Sequence, residues 1–207
     1  MSLLAGILTA YTILLVGTLS PGPAVALLLG IASSEGRRAA LTTCAGIALG
    51  SMTLNLLTLA GIGLLLSQVA WAMQALKAFG TAYLLWLAYG AFRRAMRPPA
   101  VTRVKTGTRG TVARLVQGYL LQVTNPKAVG FWLAISAVGA VTNASLPVIA
   151  LYVLCGGVIS FFGHAAWGFA LSSRPFQNAY AAARGKIEAA LGLVFGFAAF
   201  KLATSEV

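Results

Sequence analysis

Six apolar-rich stretches organise the chain, at roughly residues 3–33, 39–66, 69–92, 115–141, 146–172 and 187–204, with short polar connections between them. A helix needs about 20 apolar residues to cross the hydrocarbon core of a bilayer, so each stretch reads as a candidate span. Within the stretches the apolar residues cover the whole circumference of a helix, so no single face is singled out. The first stretch carries an interruption in its own middle, TLSPGPAVALLLG at residues 18–30. An interior proline costs a helix about 3 kcal/mol, and this segment places Pro21, Gly22 and Pro23 side by side.

The longest polar stretch, from Arg93 to Arg114, divides the pattern into three spans before and three after. The expected organisation is a three-helix transmembrane repeat over 1–92, a basic connection over 93–114, and a second three-helix repeat over 115–207. Pro21-Gly22-Pro23-Ala24-Val25 falls opposite Asn125-Pro126-Lys127-Ala128-Val129, and each motif interrupts the first span of its half. Three spans per half force the second half to enter from the opposite face. The pattern therefore predicts an all-α integral membrane fold of six transmembrane helices, arranged as two inverted repeats with interrupted first helices.

Both interruptions have the chemistry of a helix start. Serine and asparagine are good N-cap residues, and proline suits the first helical position, where no N–H is needed. Residues before proline are biased out of helical geometry, so Ser20 and Asn125 are the expected joints. A helix that begins inside a bilayer presents unpaired N–H groups and the positive end of its dipole. Those groups must face protein or a watery cavity rather than lipid. Two such starts, with the Lys127 ammonium beside the second, would receive a carboxylate. The candidate binding residues are Ser20, Pro21, Gly22, Pro23, Asn125, Pro126 and Lys127. A packing kink, with Lys127 reaching a headgroup or the carbonyls freed at the break, is the plainer alternative.

Charge sets the expected orientation. Arg37, Arg38, Arg93, Arg94, Arg97, Arg103, Lys105, Arg109, Arg114, Arg174, Arg184 and Lys186 all fall on the side shared by the first, third and fifth connections. Basic connections stay in the cytoplasm, which places both termini outside. The net charge of +12 is thus read as a topology signal, helped by anionic lipid headgroups, and not as a nucleic-acid surface. Composition agrees with a membrane protein: 59% of the residues are hydrophobic and only 9% charged, against about 25% charged in soluble domains. The first stretch lacks the basic n-region and cleavage site of a signal peptide, and no stretch is polar enough to form a soluble domain.

Candidate chemistry elsewhere is sparse. Cys44 and Cys155 read as small buried hydrophobes, no metal-ligand spacing is present, and no cofactor is expected. Asn55, Gln122 and Asn125 are polar at suitable depth, with Tyr83 a candidate for the pathway. The chain has no aspartate and three glutamates, Glu35, Glu188 and Glu206, none at the centre of a predicted span. His164 is therefore one candidate for moving protons and Lys127 another. No nucleophile–base constellation suggests an enzyme, and no ring of charge suggests a channel.

The chain resembles the LysE/RhtB superfamily of bacterial amino-acid exporters. The likeness rests on Ser20-Pro21-Gly22-Pro23, on Gly46 and Gly50, on Leu76-Lys77-Ala78-Phe79-Gly80-Thr81-Ala82-Tyr83-Leu84-Leu85-Trp86-Leu87, and on Thr124-Asn125-Pro126-Lys127 with Phe131. It covers nearly the whole chain in length and span count. The resemblance implies efflux of amino acids or close derivatives across the bacterial inner membrane, driven by the proton gradient. Export of another small amphoteric or cationic solute is the alternative. The patterns Gly46–Gly50 and Gly192–Gly196 are expected to bring helices close, within one chain or in a homodimer.

Overall fold

A computed structural model describes residues 2–68, 72–97, 110–136, 141 and 144–204. Among the described residues there are eight helices and no strand: α1 (Leu3–Leu19), α2 (Pro23–Ser34), α3 (Arg37–Gln68), α4 (Ala72–Met96), α5 (Thr111–Thr124), α6 (Pro126–Ser136), α7 (Leu146–Ala170) and α8 (Arg174–Thr204). Three of them, α3, α7 and α8, are long and apolar enough to cross a membrane. The pair α1 and α2, bent by 49° at its break, forms a fourth if counted as one span.

The first break differs in detail from the expected Ser20-Pro21 helix start. The Ser20 N–H still bonds to the Val16 carbonyl at 3.0 Å, so Ser20 closes α1 instead of opening α2. The N-cap of α2 is Gly22, in extended backbone, and Pro23 supplies the first turn. The serine hydroxyl serves the site instead, as described below. The second break follows the expected pattern. Asn125 is extended, and its side-chain Oδ1 accepts the Lys127 N–H at 3.1 Å, one of the amide groups that a helix start leaves without a partner. Pro126 begins α6.

The last helix corrects a boundary. The apolar stretch predicts a span from residue 187, whereas α8 begins at Arg174. Its first turns are polar on one side and bury Gln177 and Tyr180 on the other, so hydropathy alone misses them. Of the basic connection, Arg93 and Arg94 belong to the last turn of α4 and Arg114 to α5, while residues 98–109 lie outside the described residues.

The interior is apolar in three clusters with polar groups set among them, and the outer faces are apolar as well. Leu8, Leu57, Leu151, Phe162, Leu193 and Phe197 stand exposed on outer faces, while Thr43, Ser51, Asn55, Gln122, Ser160 and His164 are buried. A lipid-facing exterior explains the exposed apolar side chains, and intramembrane polar groups turn inward. Glycines set the closest crossing, between α3 and α5. A Cβ on Gly46 would strike the Leu115 carbonyl, and one on Gly118 would strike the Thr43 carbonyl. A Cβ on Gly50 would come within 2.8 Å of the Gln122 Cβ. Gly46 and Gly50 therefore act within one chain. Gly192 accommodates the Phe92 ring, whereas Gly196 faces open space. α4 packs along α8 and α3 along α7.

Candidate functional site

Both breaks open onto one cavity in the middle of the bundle. It is lined by Ser20, Gly22, Pro23, Asn125 and Lys127 from the breaks, with Thr18, Ser51, Gln122, Phe131 and His164 around them. Pro21 and Pro126 are the chain neighbours of this lining. The sequence-predicted groups separated by about a hundred residues are thus brought together at one place.

Lys127 bridges the two breaks. Its Nζ donates to the Ser20 carbonyl and to the Ser20 Oγ, each at 2.8 Å. The carbonyl belongs to the residue that closes α1, so the ammonium sits at the negative end of that helix dipole. Lysine has three N–H donors, and these two bonds leave one for a ligand. Gly22 makes the approach feasible: a Cβ there would lie 3.1 Å from Lys127 Nζ and 3.2 Å from its Cδ. The α6 end of the bridge is held by Tyr83, whose hydroxyl donates to the Lys127 carbonyl at 2.8 Å and lies 3.3 Å from that of Pro126. The Tyr83 ring packs against Gly130, where a Cβ would strike it, and edge-on to Phe131. Tyr83 therefore positions the second break.

A buried polar chain forms the opposite wall. Gln122 Nε2 donates to Ser51 Oγ at 2.7 Å, and Ser51 Oγ lies 2.8 Å from Ser160 Oγ. His164 Nδ1 is 2.8 Å from the Ser160 carbonyl. A carbonyl can only accept, so Nδ1 carries the proton and Nε2 is left as an acceptor. The chain ties α5, α3 and α7 together behind the cavity. Asn55 lies one helical turn beyond Ser51, buried, with neither its Oδ1 nor its Nδ2 hydrogen-bonded. It is not part of the cavity lining; a Cβ on Gly156 would approach its Nδ2 to 3.3 Å.

Sequence reasoning missed Thr18, Ser51 and Ser160, whose small hydroxyls look like ordinary span residues. It also missed two ion pairs. Arg114 of α5 forks onto both carboxylate oxygens of Glu35 at the end of α2, with Nε to Oε2 at 2.9 Å and Nη2 on Oε1. Arg94 of α4 donates through Nε to Glu188 Oε1 of α8 at 3.0 Å. The signal was present: in a chain this poor in acids, a carboxylate beside an apolar stretch needs a partner.

The cavity is small, about 40 Å³, with room for a few waters. Two broken helices closing on a small polar cavity inside an apolar bundle are the architecture of a multi-pass membrane protein. The comparisons with known proteins specify the class further. The chain belongs to the LysE type translocator family, whose model matches residues 15–206. A leucine efflux protein of Klebsiella pneumoniae subsp. pneumoniae is 30% identical over 90% of this chain and 89% of its own. A cysteine/O-acetylserine efflux protein of Salmonella paratyphi A is 29% identical over 82% and 83%. A threonine efflux protein of Escherichia coli K12 is 29% identical over 59% and 60%. No solved structure matches the chain.

Proposed function

We propose that this chain exports an amino acid or a close derivative across the bacterial inner membrane, by alternating access around the double helix break. The observation that carries the reading is the meeting of the two breaks at one cavity, with Lys127 spanning from one to the other. The names of the relatives support the substrate class. A substrate carboxylate takes the remaining Lys127 N–H and the amide groups at the start of α2, where no side chain caps the helix. The substrate ammonium takes carbonyls at the end of α1 and the acceptor atoms of the Ser51–Gln122–His164 wall.

The breaks are the joints that open and close the cavity around the substrate. The six-span arrangement is α1 with α2, α3, α4, α5 with α6, α7 and α8. Its two halves are inverted repeats, a reading supported by the breaks at matching positions and by the pairing of α3 with α7 and of α4 with α8. Both termini face the periplasm, and inward movement of protons drives efflux.

The deciding experiment is transport by the purified protein in proteoliposomes, using a panel of labelled amino acids with and without a pH gradient. Saturable flux of at least one amino acid, accelerated by the gradient, is expected. Absence of flux for every common amino acid would sink the substrate class, and flux without saturation would mark a channel.

A further inference from the structure

Among the described residues there are two buried carboxylate–arginine pairs, and they differ in a way that assigns them different work. Glu35 is bonded through both oxygens to an Arg114 side chain that is itself 1% exposed. That pair is closed on all sides and ties α2 to α5. Glu188 is wholly buried, yet only Oε1 is bonded, and Oε2 makes no hydrogen bond. Its partner Arg94 is 38% exposed along the side chain. One oxygen of a buried carboxylate is thus left without a donor, while the balancing cation stands partly exposed. A buried acceptor without a partner is costly, and a proton on that oxygen removes the buried negative charge.

The surroundings connect this pair to the transport site. Among the described residues, the charged and titratable groups near Glu188 include Arg94 from α4, Tyr180 and Arg184 from its own helix, and Lys127 from α6. Elsewhere on α4, Arg93 is exposed and Lys77 lies at the opposite end. Arg94 and Glu188 are both within electrostatic reach of Lys127. A mechanical link runs alongside. Tyr83 and Arg94 are eleven residues apart on α4, three turns at 3.6 residues each, and so share one face of that helix. The same rigid helix therefore holds the second break at one point and Glu188 at another.

We propose that the Glu188 carboxylate, held by Arg94 across the α4–α8 contact, is the proton-binding group that couples this exporter to the pH gradient. The inference rests on the proton-driven reading above. In the deprotonated state the pair clamps α4 against α8. A hydronium ion gives its proton to Glu188 and leaves as water; the neutral carboxyl no longer holds the Arg94 cation, which turns to solvent. α4 is then free to shift and carries Tyr83, and with it the start of α6, away from the closed position. Return of the proton to water restores the carboxylate and the clamp.

The test separates exchange from gradient-driven flux. Proteoliposomes carrying wild type or Glu188→Gln are assayed with whichever labelled amino acid of the panel the wild type moves fastest. One assay is counterflow without a pH gradient, and the other is net flux with and without one. Glu188→Gln is expected to keep counterflow comparable to wild type and to lose all stimulation by the gradient. Retained stimulation overturns the assignment. Loss of counterflow in protein that elutes like wild type also overturns it, because Glu188 would then serve the substrate path. Wild-type counterflow with no response to the gradient refutes proton coupling as a whole, and absence of wild-type counterflow refutes the exporter reading; either outcome takes the assignment with it. If Glu188→Gln does not fold, Glu188→Asp supplies the readout, since it keeps a titratable group at altered depth. A displaced midpoint in the pH profile of gradient-driven flux supports the assignment, and an unmoved midpoint overturns it.

Discussion

At the scale of single residues, Lys127 has two tasks that its sequence position does not separate. It closes the end of α1 through Ser20, and it keeps one N–H for a ligand. Replacing it with methionine keeps the bulk of the stem and removes every donor. Lys127→Met is expected to insert and fold but to lose transport, as checked by size-exclusion elution and proteoliposome flux. Gly22 gives a finer probe, because its missing Cβ is what lets the ammonium reach Ser20. Gly22→Ala puts a methyl against the Lys127 stem while leaving the break's prolines in place. The neighbour that must give is a flexible side chain, so the fold is expected to survive with transport well below wild type. Wild-type flux in Gly22→Ala would mean that the Lys127–Ser20 bridge is dispensable.

At the scale of elements, the crossing of α3 and α5 holds the site together. Gly46 and Gly118 bring the two backbones close enough for Gln122 of α5 to reach Ser51 of α3. That crossing is tuned by absence of side chain, and it has no flexible neighbour to yield. Gly118→Val is expected to destabilise the protein by about 1–3 kcal/mol or more through overpacking. The measurement is loss of monodisperse protein and a lowered melting temperature in detergent. A melting temperature equal to wild type would show that α5 can slide past α3 without cost.

At the scale of the whole molecule, the proposed orientation follows from basic residues in alternate connections. It can be checked with a single cysteine replacing Arg103 in a chain whose Cys44 and Cys155 are changed to alanine. An impermeant thiol reagent added to intact cells is expected to leave that cysteine unmodified until the membrane is opened. Labelling from outside would invert the orientation. It would also place the Arg94–Glu188 pair on the periplasmic side, so that the proposed coupling site would load its proton from there.

Much about this protein was legible in the residue order alone. Long uncharged runs have no stable place in water, so the membrane class needed no tertiary information. Two proline motifs in matching spans marked helix breaks, because proline's missing N–H acts wherever it sits. Local rules also predicted the Asn125 cap, whose geometry depends only on neighbours in the chain. The Ser20 cap failed for the opposite reason: its hydroxyl was claimed by Lys127 from across the bundle, and α2 began at Gly22-Pro23 instead. Ser51 and Ser160, the two ion pairs, and the part of Tyr83 in holding the second break were likewise decided by the tertiary structure. In helices that are apolar all round, the sequence carries almost no record of which face turns inward. That choice is made by close packing at glycines and by pairing of buried polar groups between distant segments, and only the assembled bundle contains it.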